Sequence, residues 1–470
     1  MRSIKLLIAC GVWIQAQGAD LPAGVTRVLT GHGISPDDIS IVVQPLDSDI
    51  PTLSHLPDEA RNPASVMKVV TTWAALEYLG PSYRWPTEVY LLGEFDGRRL
   101  DGQLAIKGYG DPFLVLEEFW KMLRSVRRLG LEEIGGDLLV DDTYFHVVEP
   151  DPGEFDGQPF RTYNVVPNAL LVNFKAVHFQ FLADPVSGRV GITTDPILSN
   201  LDIRNGLRLA EGPCRGYQAG ISFNLADTEL MDRVIFDGRF PQRCRSYGMS
   251  RTVLQHDTYT LGLFSSLWSE LGGQFAGGVR RGRVAEEILP ALIWQSPPLG
   301  EIIRSINKNS NNVMTRQLVY TMGAAEHGIP GTRENGINAL RNFLAGRGFE
   351  LESFSTDNGA GLSRGESISA GLLSQILRAA GRSVYAPEFM ASLSLGGLDG
   401  TTRGRFGEVA GYMHVKSGRL DHVSALAGYV HPVGGPTYVV AVMANTRDAH
   451  RGPGQELEEA VIDWVHSLHR

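Results

Sequence analysis

Three short runs near the C-terminus alternate between apolar and polar residues: YMHVKSG (412–418), HVSALAGYVHP (422–432) and TYVVAVMAN (437–445). A period of two is typical of β-strands, and runs this close together pair as antiparallel neighbours. Gly434 and Gly435 provide a tight turn between the last two runs. The chain therefore ends in an antiparallel sheet, and the apolar faces of that sheet require covering layers.

One further strand and several covering helices come from both ends of the sequence. The β-branched run ISIVVQP (39–45) predicts a strand, and ASVMKVVTTWAALEYL (64–79) has apolar residues at helical spacing after Asn62 and Pro63. Other helices are predicted at 258–272, on both sides of a break at 307–311, around 333–347 and 367–381, and at 453–468. The predicted fold class is α/β in the α+β sense, an antiparallel sheet covered by helices.

A β-rich block interrupts this sheet. From about residue 86 the sequence changes to short strand-like runs with Asp-Gly turns at 96–97 and 101–102. A Pro/Gly/Asp-rich stretch at 149–161 is typical of a boundary. We predict a leader at 1–19, a helix-covered domain from 20–85 and 290–470, and an insertion at 86–289 with two subdomains, 86–160 plus 256–289 and 161–255.

Length and charge limit the classes of protein that fit. A chain of 470 residues is too long for one compact core, which favours several domains. The net charge is -9 and no basic stripe is present, so nucleic acid is excluded as a partner. Only seven of the 43 basic residues are lysine, at positions 5, 68, 107, 121, 175, 308 and 416. Each lysine is therefore more informative than usual.

The first 19 residues have the pattern of a secretory signal peptide. Arg2 and Lys5 precede an apolar run at 6–14, and small residues follow at 16–19. The run is too short to span a bilayer, which predicts an exported, periplasmic protein. LIAC (7–10) also resembles a lipoprotein cleavage box, so anchoring through Cys10 is a minor alternative.

Removal of the leader leaves two cysteines, Cys214 and Cys244, 30 positions apart. In an exported chain this favours one disulfide, with two buried thiols as the alternative. Two cysteines cannot form a zinc site alone, and the sequence has no HExxH or clustered His/Cys pattern. We expect neither a metal nor a cofactor.

Ser65 and Lys68 form a candidate nucleophile and base. At positions i and i+3 of a helix their side chains lie on one face, within reach of each other. A serine hydroxyl reacts only when another group takes its proton, and a buried lysine with a lowered pKa can do so. The spacing alone is weak, since it recurs at Ser305 and Lys308, and a solvated helix lysine is the simpler interpretation.

Two downstream motifs change this balance. KNSNN (308–312) places Ser310 and Asn312 where a helix begins, although a helix-capping serine is the alternative interpretation. HVKSG (414–418) places Lys416 in a strand, where it could bind an anionic substrate or only protect a sheet edge. Lys68, Lys308 and Lys416 are the only lysines in segments 20–85 and 290–470, so all of them fall in these motifs.

SxxK, SxN and K(S/T)G in this order are typical of serine penicillin-recognising enzymes. The chain resembles the class C low-molecular-mass penicillin-binding proteins, D-alanyl-D-alanine carboxypeptidases and endopeptidases of the DacB type (peptidase family S13). The 245 positions between Ser65 and Ser310 separate this class from β-lactamases, and further similar segments are GYGDPFL, GGDLLVDDTYF, STDNGAGLS and GLDGTTRGRF. The third motif is KSG rather than KTG, and Asn311 stands where aspartate is common.

The resemblance implies a β-lactamase/transpeptidase-like domain and the roles of individual residues. Ser65 attacks the penultimate D-Ala carbonyl and Lys68 takes its proton. Ser310 relays a proton to the leaving amine, while Asn312 binds substrate and Lys68. Lys416 and Ser417 contact the terminal carboxylate, Gly418 completes the motif, and the backbone N–H of Arg419 joins that of Ser65 in the oxyanion hole. Lys308 supports the second motif.

The resemblance also implies the partners, which are peptidoglycan stem peptides ending in D-Ala-D-Ala and β-lactams as covalent inhibitors. Oligomeric state is left open, with a dimer among the alternatives. Two other functions compete with the peptidase. One is a β-lactamase or esterase, for which the Glu-x-x-x-Asn loop of the common β-lactamases is missing. The other is a non-catalytic peptidoglycan-binding or scaffold protein, which the presence of all motif side chains disfavours.

Overall fold

The computed structural model describes residues 20–148, 151–184, 186–214, 216, 220–225 and 232–469. The predicted leader at 1–19, with Cys10, lies outside the described residues. The N-terminal part contributes α1 (Ala23–His32), β1 (Ile39–Pro45), β2 (Leu53–His55), β3 (Ala60–Arg61) and α2 (Met67–Leu79).

The middle of the chain is rich in strands, as predicted. Its elements are β4 (Pro86–Phe95), β5 (Arg99–Gly108), α3 (Leu116–Arg127), β6 (Glu133–Ile134), β7 (Leu138–Asp141), β8 (Ala176–Asp184), β9 (Arg189–Asp195), β10 (Asp202–Ala210), β11 (Ile221–Leu225), β12 (Arg233–Pro241), β13 (Ser246–Thr252), α4 (His256–Glu270), β14 (Gln274–Phe275), β15 (Val279–Arg281) and β16 (Leu292–Gln295).

The C-terminal part returns to helices and then to the main sheet. Its elements are α5 (Leu299–Asn309), α6 (Asn312–His327), α7 (Arg333–Gly346), β17 (Ile368–Ser369), α8 (Ala370–Gly381), α9 (Ala386–Ser392), β18 (Ser394–Leu395), β19 (Met413–Leu420), β20 (Val423–Val430), β21 (Tyr438–Asn445) and α10 (Pro453–Ser467).

The main sheet joins the two ends of the chain in the strand order β18-β19-β20-β21-β1-β2. Each neighbouring pair is antiparallel, and β1 pairs with β21 so that Ile41 lies opposite Val442. The predicted fold class, an antiparallel sheet assembled from both ends of the sequence, is confirmed.

Both faces of this sheet are covered by helices, because successive residues of a strand point to opposite sides. In β21, Val439, Ala441 and Met443 pack into a core shared with α2, α5 and α8. Val440 and Val442 point the other way, into a core shared with α1 and α10. The central strands β20 and β21 are therefore buried at almost every position, so the predicted alternation of apolar and polar residues is wrong for them although the strands form.

The β-rich block forms its own sheets and its own core. It contains a seven-stranded sheet built around β4 and β5 and two three-stranded sheets, with orders β10-β12-β11 and β13-β8-β9. One hydrophobic cluster runs from Val89 to Trp268 through these sheets, and a disulfide joins Cys214 to Cys244. The domain boundaries stay a prediction, and β16, just after the proposed boundary at 289, pairs with β4.

Candidate active site

Ser65 lies in the tight turn Ala64–Val66 that leads into α2. Ala64 has a φ of 45°, a conformation that L-residues avoid and that recurs at functional sites. Two glycines allow other segments to approach this turn. A Cβ on Gly361 would collide with the Ala64 carbonyl, and one on Gly418 would collide with the Pro63 carbonyl. The turn around Ser65 is therefore held between two segments distant in sequence.

Lys68 follows one turn later and is fully buried. Its Nζ lies 3.1 Å from Ser65 Oγ and 2.6 Å from Asn312 Oδ1, and it also donates a hydrogen bond to the Ala360 carbonyl. Burial holds the pKa of Lys68 well below its usual range, the charges of Lys416 and Arg316 lower it further, and Glu366 opposes the shift. A solvated lysine, the simpler interpretation of the spacing, is excluded.

Ser310 is the C-cap of α5 and not the N-cap of α6. It follows the last residue of α5 with a φ of 53° and a ψ of 42°. The cap of α6 is Asn311, whose side chain accepts a hydrogen bond from the Met314 N–H. The interpretation of Ser310 as the N-cap of this helix is therefore wrong, because the N-cap is the next residue, Asn311. Because the chain reverses at Ser310, its hydroxyl faces Lys416 instead, and Lys416 Nζ donates to Ser310 Oγ at 2.9 Å.

Lys416 is fully buried in β19. Its Nζ also donates to the Ser417 carbonyl at 2.7 Å, and burial lowers its pKa to about 7. A lysine that only protects a sheet edge would stay solvated, so that alternative is wrong. Strand β18 pairs with β19 only at Val415 and His414, and no described residue pairs with the same side from Lys416 to Leu420. This segment has an open edge beside Ser65.

Lys308 does not form a second Ser–Lys pair with Ser305. Its Nζ is ion-paired with Asp399, whose other carboxylate oxygen accepts the Leu395 N–H at 2.8 Å. Lys308 therefore ties α5 to the segment that follows β18, next to Ser310.

Ser417, Gly418 and Arg419 line a cavity of about 300 Å³ together with Ser65, Ser310, Thr401 and Arg405. Ser417 Oγ lies 2.8 Å from Thr401 Oγ1. Gly418 lets β19 approach the backbone of the Ser65 turn, since a Cβ there would lie 3.0 Å from the Ser65 and Val66 nitrogens. The cavity thus combines hydroxyls with arginine side chains beside the predicted nucleophile.

Several atoms of this site were not identified from the sequence. The carbonyls of Ala360 and Tyr163 accept from Lys68 and Asn312 respectively, the latter at 3.2 Å. They belong to the backbone, so residue type gives no sign of them. A signal for the first existed in STDNGAGLS, where Gly359 and Gly361 adopt positive φ. That segment packs on α2 through a 2.7 Å hydrogen bond from Thr71 Oγ1 to the Gly359 carbonyl.

A larger cavity of about 690 Å³ begins next to these two carbonyls. It is lined by Asn164, which follows Tyr163, and by Asn358, whose side chain accepts the Ala360 N–H at 2.9 Å. Arg316 and Arg364 also line it, together with acidic side chains. This groove therefore adjoins the site on the side of Lys68 and Asn312.

His422, Asp448 and His450 are the group of described residues that could hold a metal ion, with ligand atoms within 4.8 Å of one another. However, His450 Nδ1 accepts the His422 N–H at 2.8 Å, and His422 Nδ1 accepts the Asp448 N–H at 3.0 Å. Arg451 Nε adds positive charge 3.4 Å from Asp448. The two imidazoles thus lock a turn, and the positive charge disfavours a cation.

No helix within the described ranges is long and apolar enough to cross a membrane. The fold and the three motifs, gathered around one serine, define a serine penicillin-recognising enzyme. The sequence pattern of the D-Ala-D-Ala carboxypeptidase 3 (S13) family matches residues 21–467, and the chain belongs to that family. It is a serine-type carboxypeptidase, as predicted.

Relatives carry names that agree with this family, and solved structures share the fold. The D-alanyl-D-alanine carboxypeptidase of Actinomadura sp. (strain R39) is 29% identical over 409 residues, which cover 83% of this chain and 74% of that protein. The carboxypeptidase DacB of Haemophilus influenzae is 22% identical over 378 residues, covering 78% and 77%. The crystal structure of penicillin binding protein 4 (dacB) from H. influenzae, also solved with a β-lactam, shares the fold with a TM-score of 0.79, 19% identity and coverage of 94% and 99%.

Proposed function

We propose that Ser65 is the nucleophile of this carboxypeptidase and that Lys68 is its general base. The observation that carries the proposal is the set of contacts of Lys68. A neutral amine has two N–H groups and one lone pair. Asn312 Oδ1 and the Ala360 carbonyl accept the two N–H groups, which leaves the lone pair for the Ser65 hydroxyl at 3.1 Å. Burial favours this neutral form.

The acylation step follows from this arrangement. Ser65 Oγ attacks the carbonyl carbon of the penultimate D-Ala while its proton passes to Lys68 Nζ. The backbone N–H groups of Ser65 and Arg419 stabilise the oxyanion, a contribution of about 3 kcal/mol for each donor. Collapse of the tetrahedral intermediate breaks the C–N bond, and the leaving amine takes its proton through Ser310. Water then hydrolyses the ester and regenerates Ser65.

The cavity beside Ser417 supports a carboxyl-terminal leaving group. Lys416, when protonated, holds an ammonium against the hydroxyl of Ser310, which lines this space, and Arg405 and Arg419 line it as well. Arg405 is already ion-paired with Glu458 and Glu459, so Lys416 and Arg419 are the cations left to bind a terminal carboxylate. A free D-Ala fits the space, and we propose D-Ala-D-Ala carboxypeptidase activity, with DD-endopeptidase activity as a second activity of the same site.

Covalent labelling tests the nucleophile. A fluorescent penicillin should acylate the wild-type protein and the variant Ser305→Ala alike, and it should not label Ser65→Ala. The control is matched, because Ser305 and Lys308 have the same spacing as Ser65 and Lys68. Label that persists in Ser65→Ala would refute the nucleophile assignment.

Lys68→Ala should slow acylation by about a thousandfold or more, since nucleophile and base act as a unit. Lys121→Ala, on an exposed face of α3, should leave the rate unchanged. A near-normal rate in Lys68→Ala would mean that another group takes the proton.

Product analysis distinguishes the activities. Mass spectrometry of a stem pentapeptide should show loss of one D-Ala, and a cross-linked dimer should yield monomers only if the second activity exists. A label that is lost within seconds would instead favour a β-lactamase, and a labelled protein without products a binding protein.

We also propose that the protein acts outside the cytoplasm, where peptidoglycan lies. The leader-like sequence at 1–19 and the Cys214–Cys244 disulfide support export. Fractionation of cells that produce the full chain, with sizing of the purified protein, tests both export and the monomer or dimer state.

A further inference from the structure

A second large cavity lies within the β-rich block and takes no part in the mechanism above. Its volume is about 720 Å³. Aromatic and proline rings form much of its wall, and Lys175, His256 and Arg281 bring basic groups to it. Its two carboxylates, Asp142 and Asp151, already accept hydrogen bonds from the Asn168 side chain and the Gly153 N–H. The combination of apolar walls with a few charged groups is typical of sites for small ligands.

Lys175 is the basic group of this cavity that lacks a partner. Among the described residues its ammonium forms neither a hydrogen bond nor an ion pair, and Asp257 influences it only at longer range. Asp257 is already ion-paired with Arg281 at 2.9 Å. Burial lowers the pKa of Lys175 to about 8, so the ammonium remains mostly charged at neutral pH. Burial and the charges of Lys175 and Arg281 hold the pKa of His256 well below its usual range, which keeps it neutral.

The backbone at this position is unusual as well. Asn173, Phe174 and Lys175 are three consecutive residues with φ between 46° and 54°. Such conformations are unfavourable for L-residues and cluster at ligand sites, where the surroundings enforce them. A partly desolvated cation on a strained segment favours an anionic ligand over water.

The cavity shares part of its wall with the groove beside the active site. Asp151, Pro152 and Val166 line both this cavity and the 690 Å³ cavity. The latter begins at Asn164 and Asn358, next to the two carbonyls that Asn312 and Lys68 contact. A chain bound with its carbonyl at Ser65 could therefore extend through the groove toward Lys175.

We propose that the Lys175 cavity binds a free carboxylate of the peptidoglycan stem peptide, on the amino-terminal side of D-Ala-D-Ala. This inference rests on the proposed function, because it requires the same peptide to be positioned at Ser65. The adjoining groove and the unpaired ammonium favour this occupant, and the rings of Phe145 and Phe160 suit the aliphatic parts of the peptide.

Three substrates test the proposal. The first is a stem pentapeptide whose γ-linked D-glutamate has a free α-carboxylate, and the second is the same peptide with a carboxamide there. The third is a diacylated tripeptide that ends in D-Ala-D-Ala and is too short to reach Lys175. The wild type should hydrolyse the pentapeptide with the free α-carboxylate with a kcat/KM about tenfold above that of the carboxamide peptide, and the difference should lie in KM. Lys175→Gln should abolish this ratio and leave the tripeptide unaffected.

Two further variants complete the test. Lys175→Arg keeps the charge and should retain part of the preference, and Lys121→Gln, an exposed lysine ion-paired with Glu118, should retain all of it. Equal rates of the wild type on acid and amide would overturn the proposal, even if Lys175→Gln does not fold. If Lys175→Gln lowered kcat/KM equally on all three substrates, the proposal would also be overturned, since the substitution would then disturb the structure as a whole. Failure of the proposed function would give a different result from failure of the Lys175 proposal, because the wild type would then not hydrolyse the tripeptide either.

Discussion

At the scale of single residues, the site depends on two buried lysines with different partners. Lys68 is surrounded by acceptors and a hydroxyl, and a neutral amine satisfies all of them. Lys416 contacts Ser310 Oγ and the Ser417 carbonyl beside a cavity open to substrate. The charge of Lys416 adds to burial in lowering the pKa of Lys68, because like charges repel in a desolvated site. The two lysines therefore favour a neutral Lys68, which acts as the base, and a protonated Lys416, whose charge is balanced by the substrate carboxylate.

The pH dependence of activity should reveal Lys416. Its pKa is lowered to about 7, so it is charged below that pH and neutral above it. Because kcat/KM reports the free enzyme, kcat/KM for a peptide with a terminal carboxylate should fall as pH rises through about 7. The bound carboxylate raises the pKa of Lys416, so the alkaline limb of kcat should lie at higher pH.

A substrate with a C-terminal amide is the matched control for this profile. It offers no charge to Lys416, so its lower kcat/KM should lack the limb near pH 7. Identical alkaline limbs for the two substrates would show that another group titrates.

The sequence predicted which side chains form the site but not every atom that holds them. Scarce lysines and three motifs identified Ser65, Lys68 and Lys416 in advance, because chemistry depends on residue type. The carbonyls of Ala360 and Tyr163 have no residue signature, since any residue supplies a backbone oxygen. Lys175 was visible as one of seven lysines, yet only the fold shows its lack of a partner.

At the scale of elements, the junction of α5 and α6 positions Ser310. The predicted break at 307–311 is too long, because α5 continues to Asn309 and α6 starts at Asn312. Asparagine and serine are poor helix formers, which made the stretch resemble a loop. In the structure Asn307 is buried and its side chain donates to Ser392 Oγ at 2.8 Å. Tertiary contacts override the local propensity, and only Ser310 and Asn311 remain between the helices.

Asn311 should be important for stability through its cap. Asn311→Ala removes the acceptor for the Met314 N–H and should lower the free energy of unfolding by about 1 kcal/mol. Asn311→Asp keeps an acceptor and adds a favourable charge at the helix N-terminus, so it should differ from wild type by no more than about 1 kcal/mol. Urea denaturation measures both. Equal destabilisation by the two variants would mean that the amide has a role beyond the cap.

At the scale of the whole molecule, the catalytic sheet and the β-rich block have separate large cores. The buried residues of the cores on the two faces of the main sheet lie up to Trp85 and from Leu299 onward, whereas those of the block lie within Val89–Trp268. Two small clusters join the parts, and they consist of Phe145, Ala169 and Tyr320 and of Val165, Leu171 and Val313. The change in pattern near residue 86 predicted a domain boundary there, which stays a prediction. The sequence could not predict the arrangement of sheets within the block, because short strands with several turn signals are compatible with many pairings. The two parts meet at the groove that leads from Ser65.

The disulfide tests how independent the two parts are. Cys214 and Cys244 are 30 positions apart, and a cross-link over such a loop stabilises a fold by about 4 kcal/mol through the unfolded chain. The double variant Cys214→Ser/Cys244→Ser should therefore lower the stability of the β-rich block, seen as faster amide exchange in β10–β13. The rate of penicillin acylation at Ser65 should stay within about twofold of wild type, since the cores are separate. Hydrolysis of the acidic stem pentapeptide should weaken more than that of the short tripeptide, because Lys175 lies in the block. If acylation and exchange change together, the block and the catalytic sheet unfold as one unit, and the separate cores do not act independently.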